Sequence, residues 1–149
     1  MSKPIYVLSG PNLNLLGTRE PEIYGHQTLE DVQRLCETRA SALGCTVVFR
    51  QSNHEGVLID WIHEAHAKQA AGIIINAAGF TTTSISIMDA LLAVKLPVIE
   101  IHMTNIHQRE SFRHNSYMSK AAKGMICGFG VDSYTLAIVG LAGIVGAKE

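Results

Sequence analysis

The sequence has few charged residues, and neither sign of charge is in excess. Twelve Lys and Arg stand against thirteen Asp and Glu, which gives a formal net charge of −1 at pH 7. Charged residues make up 17% of the 149 residues, below the roughly 25% of an average soluble domain. Because the chain has neither a positive excess nor a cluster of Lys and Arg, we expect no nucleic-acid partner.

Cysteines and long apolar runs are also scarce. The three cysteines, Cys36, Cys45 and Cys127, follow no metal-binding or redox spacing, so we expect a reducing, cytoplasmic location without a disulfide framework. No cleavage site follows the short apolar run at residues 5–8, which argues against a signal peptide. The most apolar stretch, residues 136–145, has about half the length that spanning a bilayer requires. We therefore expect no membrane partner.

Apolar residues are abundant, at 47% of the chain, and their arrangement predicts the fold. Short apolar runs alternate with amphipathic segments, which is typical of an α/β domain with a parallel sheet. The predicted strands are residues 5–8, 46–49, 73–75, 98–102 and 125–127; the predicted helices begin at Thr28, after Asn53, near Ser84 and at a cap formed by Asp132 or Ser133. We predict one flavodoxin-like domain over residues 1–149, with sheet order 2-1-3-4-5 and helices on both faces.

Polar residues gather where the predicted strands end, which is where an open parallel sheet binds its ligand. Asn76 follows the third strand, Glu100 and His102 end the fourth, and Arg109 and Arg113 lie beyond it. Glu100 and His102 are two residues apart on a strand, so their side chains share a face. A carboxylate beside an imidazole orients the ring as an acid. The same pair also fits a structural histidine in the core, and the pattern leaves both interpretations open.

The connection after the first strand, residues 12–25, is long for a βα loop. It carries a cation, Arg19, and a phenol, Tyr24. A tyrosine acting as a base near pH 7 needs ~4 kcal/mol of phenolate stabilisation, and a nearby arginine in a closed site could supply much of it. A surface ion pair of Arg19 with Glu20 or Glu22 is the competing interpretation, and the pattern alone favours it.

Three other motifs do not support a function. His63 and His66 are spaced i, i+3 rather than the i, i+4 of a zinc helix, and we predict no metal site. The run at residues 10–17 lacks the spacing of a phosphate-binding loop. Cys127 has no evident base nearby, so we expect a buried thiol rather than a nucleophile.

Six segments carry distinctive motifs: GPNLNLLGTREPEIYG at residues 10–25, QSNHEG at 51–56, LIDWIHEA at 58–65, EIH at 100–102, RESFRH at 109–114 and GFG at 128–130. Together they resemble the type II 3-dehydroquinate dehydratases. The resemblance covers nearly the whole chain. It implies a trans dehydration of 3-dehydroquinate to 3-dehydroshikimate through an enolate, with no metal or other cofactor. It also implies a homo-oligomer in which trimers assemble into a dodecamer.

The resemblance implies roles for the residues that transfer protons. Tyr24 is the base that takes the C2 proton, and Arg19 holds it as a phenolate. Asn12 helps to fix a water that stabilises the enolate oxygen, a donor aimed where charge develops. His102, oriented by Glu100, protonates the departing C1 hydroxyl. Because these side chains occupy family positions, the resemblance favours catalytic roles over the structural interpretations above.

The resemblance also implies a substrate-binding set, in which this sequence departs from the family pattern. Asn76 and the backbone amides of Met103 and Thr104 hold the carboxylate, Arg113 and Asp89 of the partner subunit contact ring hydroxyls, and Arg109 closes over the site. Thr82, however, stands where the family has a His that contacts the substrate's hydroxyls, and Met88 replaces a usual Arg. The alternatives are therefore a related lyase acting on another cyclic β-hydroxy ketone, and a non-catalytic binding protein.

Overall fold

The computed structural model describes residues 3–18 and 20–146, with the backbone alone at Tyr24. The strands are β1 (Pro4–Ser9), β2 (Thr46–Gln51), β3 (Gly72–Asn76), β4 (Val98–His102) and β5 (Gly124–Cys127). They pair in parallel in the order β2-β1-β3-β4-β5. The α-helices are α1 (Pro21–Tyr24), α2 (Leu29–Ala42), α3 (Glu55–Ala67), α4 (Ile85–Val94) and α5 (Asp132–Val145). The predicted flavodoxin-like sheet order is confirmed.

Two apolar cores cover the two faces of the sheet, because strand side chains alternate between faces. Helices α2 and α5 pack on one face, where β4 contributes Ile99 and Ile101. Helices α3 and α4 pack on the other, where β4 contributes Val98. The alternation therefore directs Glu100 and His102 of β4 toward the α3/α4 face. Within the described ranges, no helix is long and apolar enough to span a bilayer.

Helix starts show where local sequence signals succeed and where they fail. The predicted cap of α2 is confirmed, since the Thr28 hydroxyl accepts the N–H of Asp31 and the Asp31 carboxylate accepts the N–H of Thr28. The predicted cap of α5 is wrong, because Asp132 and Ser133 lie inside the helix. Their N–H groups donate to the carbonyls of Phe129 and Gly130 instead, so a backbone turn starts this helix without a side-chain cap.

The ends of β1 and β3 meet closely at Gly10. Its N–H donates to the carbonyl of Asn76 over 2.8 Å, and a Cβ at this position would lie 2.6 Å from the carbonyl oxygen of Ala77. Any side chain there would push the two strand ends apart. Glycine therefore permits the close approach that forms the floor of the site described next.

Candidate active site

A cavity of about 180 Å³ lies at the carboxyl ends of β1, β3 and β4. Its lining includes most of the predicted site residues: Asn12, Asn76, Thr82, His102, Met103, Thr104, Arg109 and Arg113. They come from four separate stretches of sequence. The parallel pairing of β1, β3 and β4 places the ends of these strands side by side and so brings the residues together. The cavity lies where ligands bind in open parallel sheets.

A buried carboxylate–imidazole pair forms one wall. His102 Nε2 lies 2.5 Å from Glu100 Oε2, and the two residues are 6% and 0% exposed. The predicted contact across one strand face is therefore confirmed. Burial raises the pKa of Glu100, but hydrogen bonds from His102, Ser116 and Ser119 more than offset it, so that the pKa lies below its ordinary value. Glu100 is thus a carboxylate held behind an imidazole that faces the cavity.

Two arginines that follow β4 bring positive charge to the cavity. Arg109 donates to the Thr104 hydroxyl over 3.4 Å, and Arg113 Nε donates to Glu110 Oε1 over 2.7 Å. Both side chains are half-buried on the cavity lining. Because guanidinium groups offer a rigid fork of donors, they suit a ligand that carries a carboxylate and hydroxyls.

The side chain of Asn76 is fixed by groups that the sequence pattern did not single out. Its Nδ2 donates to the Tyr134 hydroxyl over 3.1 Å, and its Oδ1 accepts the N–H of Ala78 over 3.3 Å. The Tyr134 and Ser9 hydroxyls lie 3.0 Å apart. Burial raises the pKa of Tyr134 to about 12, so its phenol stays protonated. Tyr134 sits in an apolar helix far along the chain, and no local signal points to it.

The segment that carries Asn12 is tied to the end of β2. Asn12 adopts a left-handed backbone with φ of 72°, and its N–H donates to Asn53 Oδ1 over 3.0 Å. Gln51 Nε2 donates to the Gly10 carbonyl over 3.0 Å and to Asn53 Oδ1 over 3.1 Å. These amides hold the mouth of the cavity in place.

Thr82 lies on the cavity lining, whereas Asp89 lies apart from it and Tyr24 and Arg19 are not fully described. Thr82 is half-buried, and its hydroxyl donates to the Gly79 carbonyl over 3.4 Å. Asp89 lies on the exposed face of α4, away from the cavity of its own chain. Tyr24 ends α1, with its backbone alone described, and Arg19 lies outside the described residues. The structure therefore does not test the roles of Tyr24 and Arg19.

The sequence is similar to a known family and to proteins within it. The family model described as dehydroquinase class II matches residues 3–142. A 3-dehydroquinate dehydratase of Phenylobacterium zucineum (strain HLK1) is 65% identical over 144 residues, covering 97% of this chain and 99% of that protein. One of Rhodopseudomonas palustris (strain HaA2) is 58% identical over 148 residues, covering 99% and 98%.

The fold is similar to that of a solved structure. The crystal structure of the type II dehydroquinase from Butyrivibrio crossotus DSM 2876 matches with a TM-score of 0.92 at 40% identity, covering 94% of this chain and 97% of that chain. That enzyme and this chain therefore share the arrangement of sheet and helices over nearly their whole lengths. On sequence and structure together, the chain belongs to the class II dehydroquinase family.

Proposed function

We propose that this chain catalyses the dehydration of 3-dehydroquinate to 3-dehydroshikimate. The observation that carries the proposal is the buried Glu100–His102 pair on the wall of the cavity, in a chain of this family. An imidazole held by a carboxylate can give a proton to a departing hydroxyl. The reaction is a step of the shikimate pathway, and the same conversion also serves quinate breakdown.

In the proposed mechanism, one proton is removed from the substrate ring and a second is delivered to the leaving hydroxyl. The Tyr24 phenolate, beside Arg19, takes the C2 proton next to the ketone, and the electron pair passes to the ketone oxygen as an enolate. A water held with the help of Asn12 stabilises that oxygen. The enolate then collapses, the C1–O bond breaks, and His102 protonates the leaving hydroxyl to give water. Exchange with solvent restores both groups, and Glu100 keeps the ring of His102 in place throughout.

Substrate binding is proposed for the remaining cavity residues. The substrate carboxylate is held by Asn76 and by the backbone amides of Met103 and Thr104. Its hydroxyls are contacted by Arg113 and by Asp89 of the partner subunit, with Arg109 closing over the ring and Thr82 beside it. The orientation of Asn76 by Tyr134 and the two arginines on the cavity lining support this arrangement.

A second candidate function is a lyase acting on a related cyclic β-hydroxy ketone. The observation that favours it is Thr82. Its side chain is shorter than that of a histidine, and its hydroxyl donates to the Gly79 carbonyl. A non-catalytic binding protein is less well supported, because such a protein has no need for the Glu100–His102 pair.

The direct test is an ultraviolet assay for the enone formed from 3-dehydroquinate. We expect turnover by the wild-type protein and a loss of about 10²- to 10⁴-fold in kcat for His102→Ala and Tyr24→Phe, because each removes a proton transfer. Substrate binding should remain measurable by calorimetry. Ser41→Ala, an exposed change on α2, is the control.

Two results would contradict parts of the proposal. An absence of enone with the wild-type protein would rule out the dehydratase, and full activity in Tyr24→Phe would rule out the assigned base. Arg19→Ala should slow turnover and move the acid limit of activity to higher pH, because loss of the cation raises the pKa of Tyr24, which must be ionised to act as the base.

We also propose assembly into a homo-oligomer, with trimers forming a dodecamer. The outward face of α5 supports this proposal, because Leu136, Val139 and Ile144 are each more than two-fifths exposed. Such a face is typical of a subunit contact. A single domain and a cytoplasmic location remain predictions; the three free cysteines fit the latter.

A further inference from the structure

The carboxylate of Glu100 contacts two serine hydroxyls as well as His102. Oε2 lies 2.5 Å from His102 Nε2 and accepts from Ser116 Oγ over 2.6 Å. Oε1 accepts from Ser119 Oγ over 2.5 Å. Both oxygens of a side chain with no exposed surface are therefore occupied.

Both serine hydroxyls donate to the Glu100 carboxylate. Ser116 Oγ accepts the backbone N–H of Ser119 over 3.1 Å, so its own proton is free to point at Glu100. An ionised carboxylate only accepts hydrogen bonds, whereas a carboxylic acid carries a proton of its own. The two serine donors, which converge on one carboxylate beside the His102 ring, thus favour the ionised form.

Among the described residues, those that lower the pKa of Glu100 are His102, Ser116 and Ser119. Its register partners on the flanking strands are Ile75 on β3 and Met125 on β5. The titratable group that acts on its charge is His102, and Arg109 and Arg113 line the cavity that His102 also lines. The desolvation cost of a buried carboxylate is large, and it is no longer offset when a hydrogen-bond donor is removed.

The two serines are carried by a turn that is itself anchored. Ser119 lies in the 3-10 helix Met118–Lys120, and Met118 is fully buried in the α3/α4 core. The backbone N–H of Tyr117 donates to the carbonyl of Thr81, a residue of the cavity lining, over 2.9 Å. One turn therefore contacts both the wall of the cavity and the carboxylate behind it.

We infer that Ser116 and Ser119 are positioning residues for the reaction: they hold Glu100 as a carboxylate aimed at His102, so that the imidazole keeps one orientation on the cavity wall. This inference rests on the proposed dehydratase function. The serines do not contact the substrate; they act through Glu100.

The inference has a pH signature. The pKa of Glu100 lies below its ordinary value because its hydrogen bonds outweigh its burial. Activity that needs the carboxylate is present above that pKa and is lost as the pH falls through it. Removing the serine hydroxyls takes away two hydrogen-bond donors while Glu100 stays buried, so the pKa of Glu100 rises. The acid limit of activity therefore moves to higher pH.

The test compares the wild-type protein with Ser116→Ala, Ser119→Ala and the double variant. We expect the double variant to lower kcat about tenfold to a hundredfold, as the loss of hydrogen bonds to a charged group implies, with little change in KM and an acid limit at higher pH. Ser119→Thr, which keeps the hydroxyl at an exposed position, should restore most of the activity. Ser41→Ala is the matched control, and a melting curve of each variant reports folding.

A second measurement does not depend on turnover. In protein labelled with ¹³C at glutamate carboxyl groups, NMR titration should show the pKa of Glu100 higher in the serine variants than in the wild type. If the wild type forms no enone, the proposed function fails, and the titration still decides the role of the serines. An unchanged Glu100 titration, or a lower kcat with an unmoved acid limit, would overturn the inference. If the double variant does not fold, Ser119→Ala decides by the same two measurements.

Discussion

Thr82 is the proposed substrate-binding residue that departs from the pattern of the family that the sequence resembles. Its hydroxyl reaches less far than an imidazole nitrogen and donates to the Gly79 carbonyl. The lost contact is worth ~1 kcal/mol. If that contact is equally strong in the ground state and the transition state, its loss raises KM and leaves kcat unchanged. We therefore expect Thr82→His to lower KM for 3-dehydroquinate several-fold with kcat nearly unchanged, as measured by initial rates.

The neighbouring residue supplies a control for that prediction. Thr83 is exposed, and its hydroxyl donates to the same Gly79 carbonyl over 3.4 Å, but it does not line the cavity of about 180 Å³. Thr83→His should leave KM unchanged. If Thr82→His gains nothing on 3-dehydroquinate while an analogue altered at the diol is the better substrate, the enzyme is adapted to another ring.

Some residues of the site can be predicted from the sequence and others cannot. The spacing of Glu100 and His102 on one strand predicts their contact, because strand geometry has a fixed period. Ser116, Ser119 and Tyr134 reach the site only through the packing of other elements, so no local pattern marks them. The placement of Tyr24 and Arg19 still rests on the family resemblance.

The 3-10 helix Ala78–Thr82 begins with a strained residue. Ala78 has φ of 52°, in the left-handed region that costs a residue with a Cβ about 1–2 kcal/mol. Glycine adopts this conformation freely but loses more entropy on folding. We expect Ala78→Gly to raise the free energy of unfolding by about 0.5–1 kcal/mol, as measured by urea titration.

A helical alanine gives the opposite expectation. Ala93 is exposed on α4, where glycine costs about 1 kcal/mol relative to alanine. Ala93→Gly should therefore destabilise the protein. A loss of stability in Ala78→Gly similar to that of Ala93→Gly would show that the left-handed backbone stores no strain.

Elements were easier to predict than their ends. Short apolar runs predicted all five strands. Such runs are typical of strands that are buried on both faces, as β1, β3 and β4 are. The cap of α2 is a local exchange of hydrogen bonds within four residues, and the sequence shows it. The start of α5 depends on a turn between Gly128 and Gly130, both with positive φ, which a side-chain signal does not report.

For the whole molecule, the exposed apolar face of α5 predicts how copies associate. We expect Leu136→Glu with Val139→Glu to shift the mass measured by light scattering toward smaller species, because buried charges without partners oppose association. Thr38→Glu, on the exposed side of α2, is the control and should leave the mass unchanged. A monomeric mass for the wild-type protein at working concentration would contradict the proposed assembly.

The sheet order also has a consequence for synthesis on the ribosome, where chains emerge from the N-terminus at about 5–20 residues per second. Strand β1 can pair with β2 early, but its other edge waits for β3, since Ile5 pairs with Gly72. Until then a buried strand presents unpaired backbone groups, which invite association with other chains. The wall that carries His102 follows later still, after β3 is in place. The nascent chain therefore passes through a stage in which the interior strand β1 is half-paired and the cavity does not yet exist.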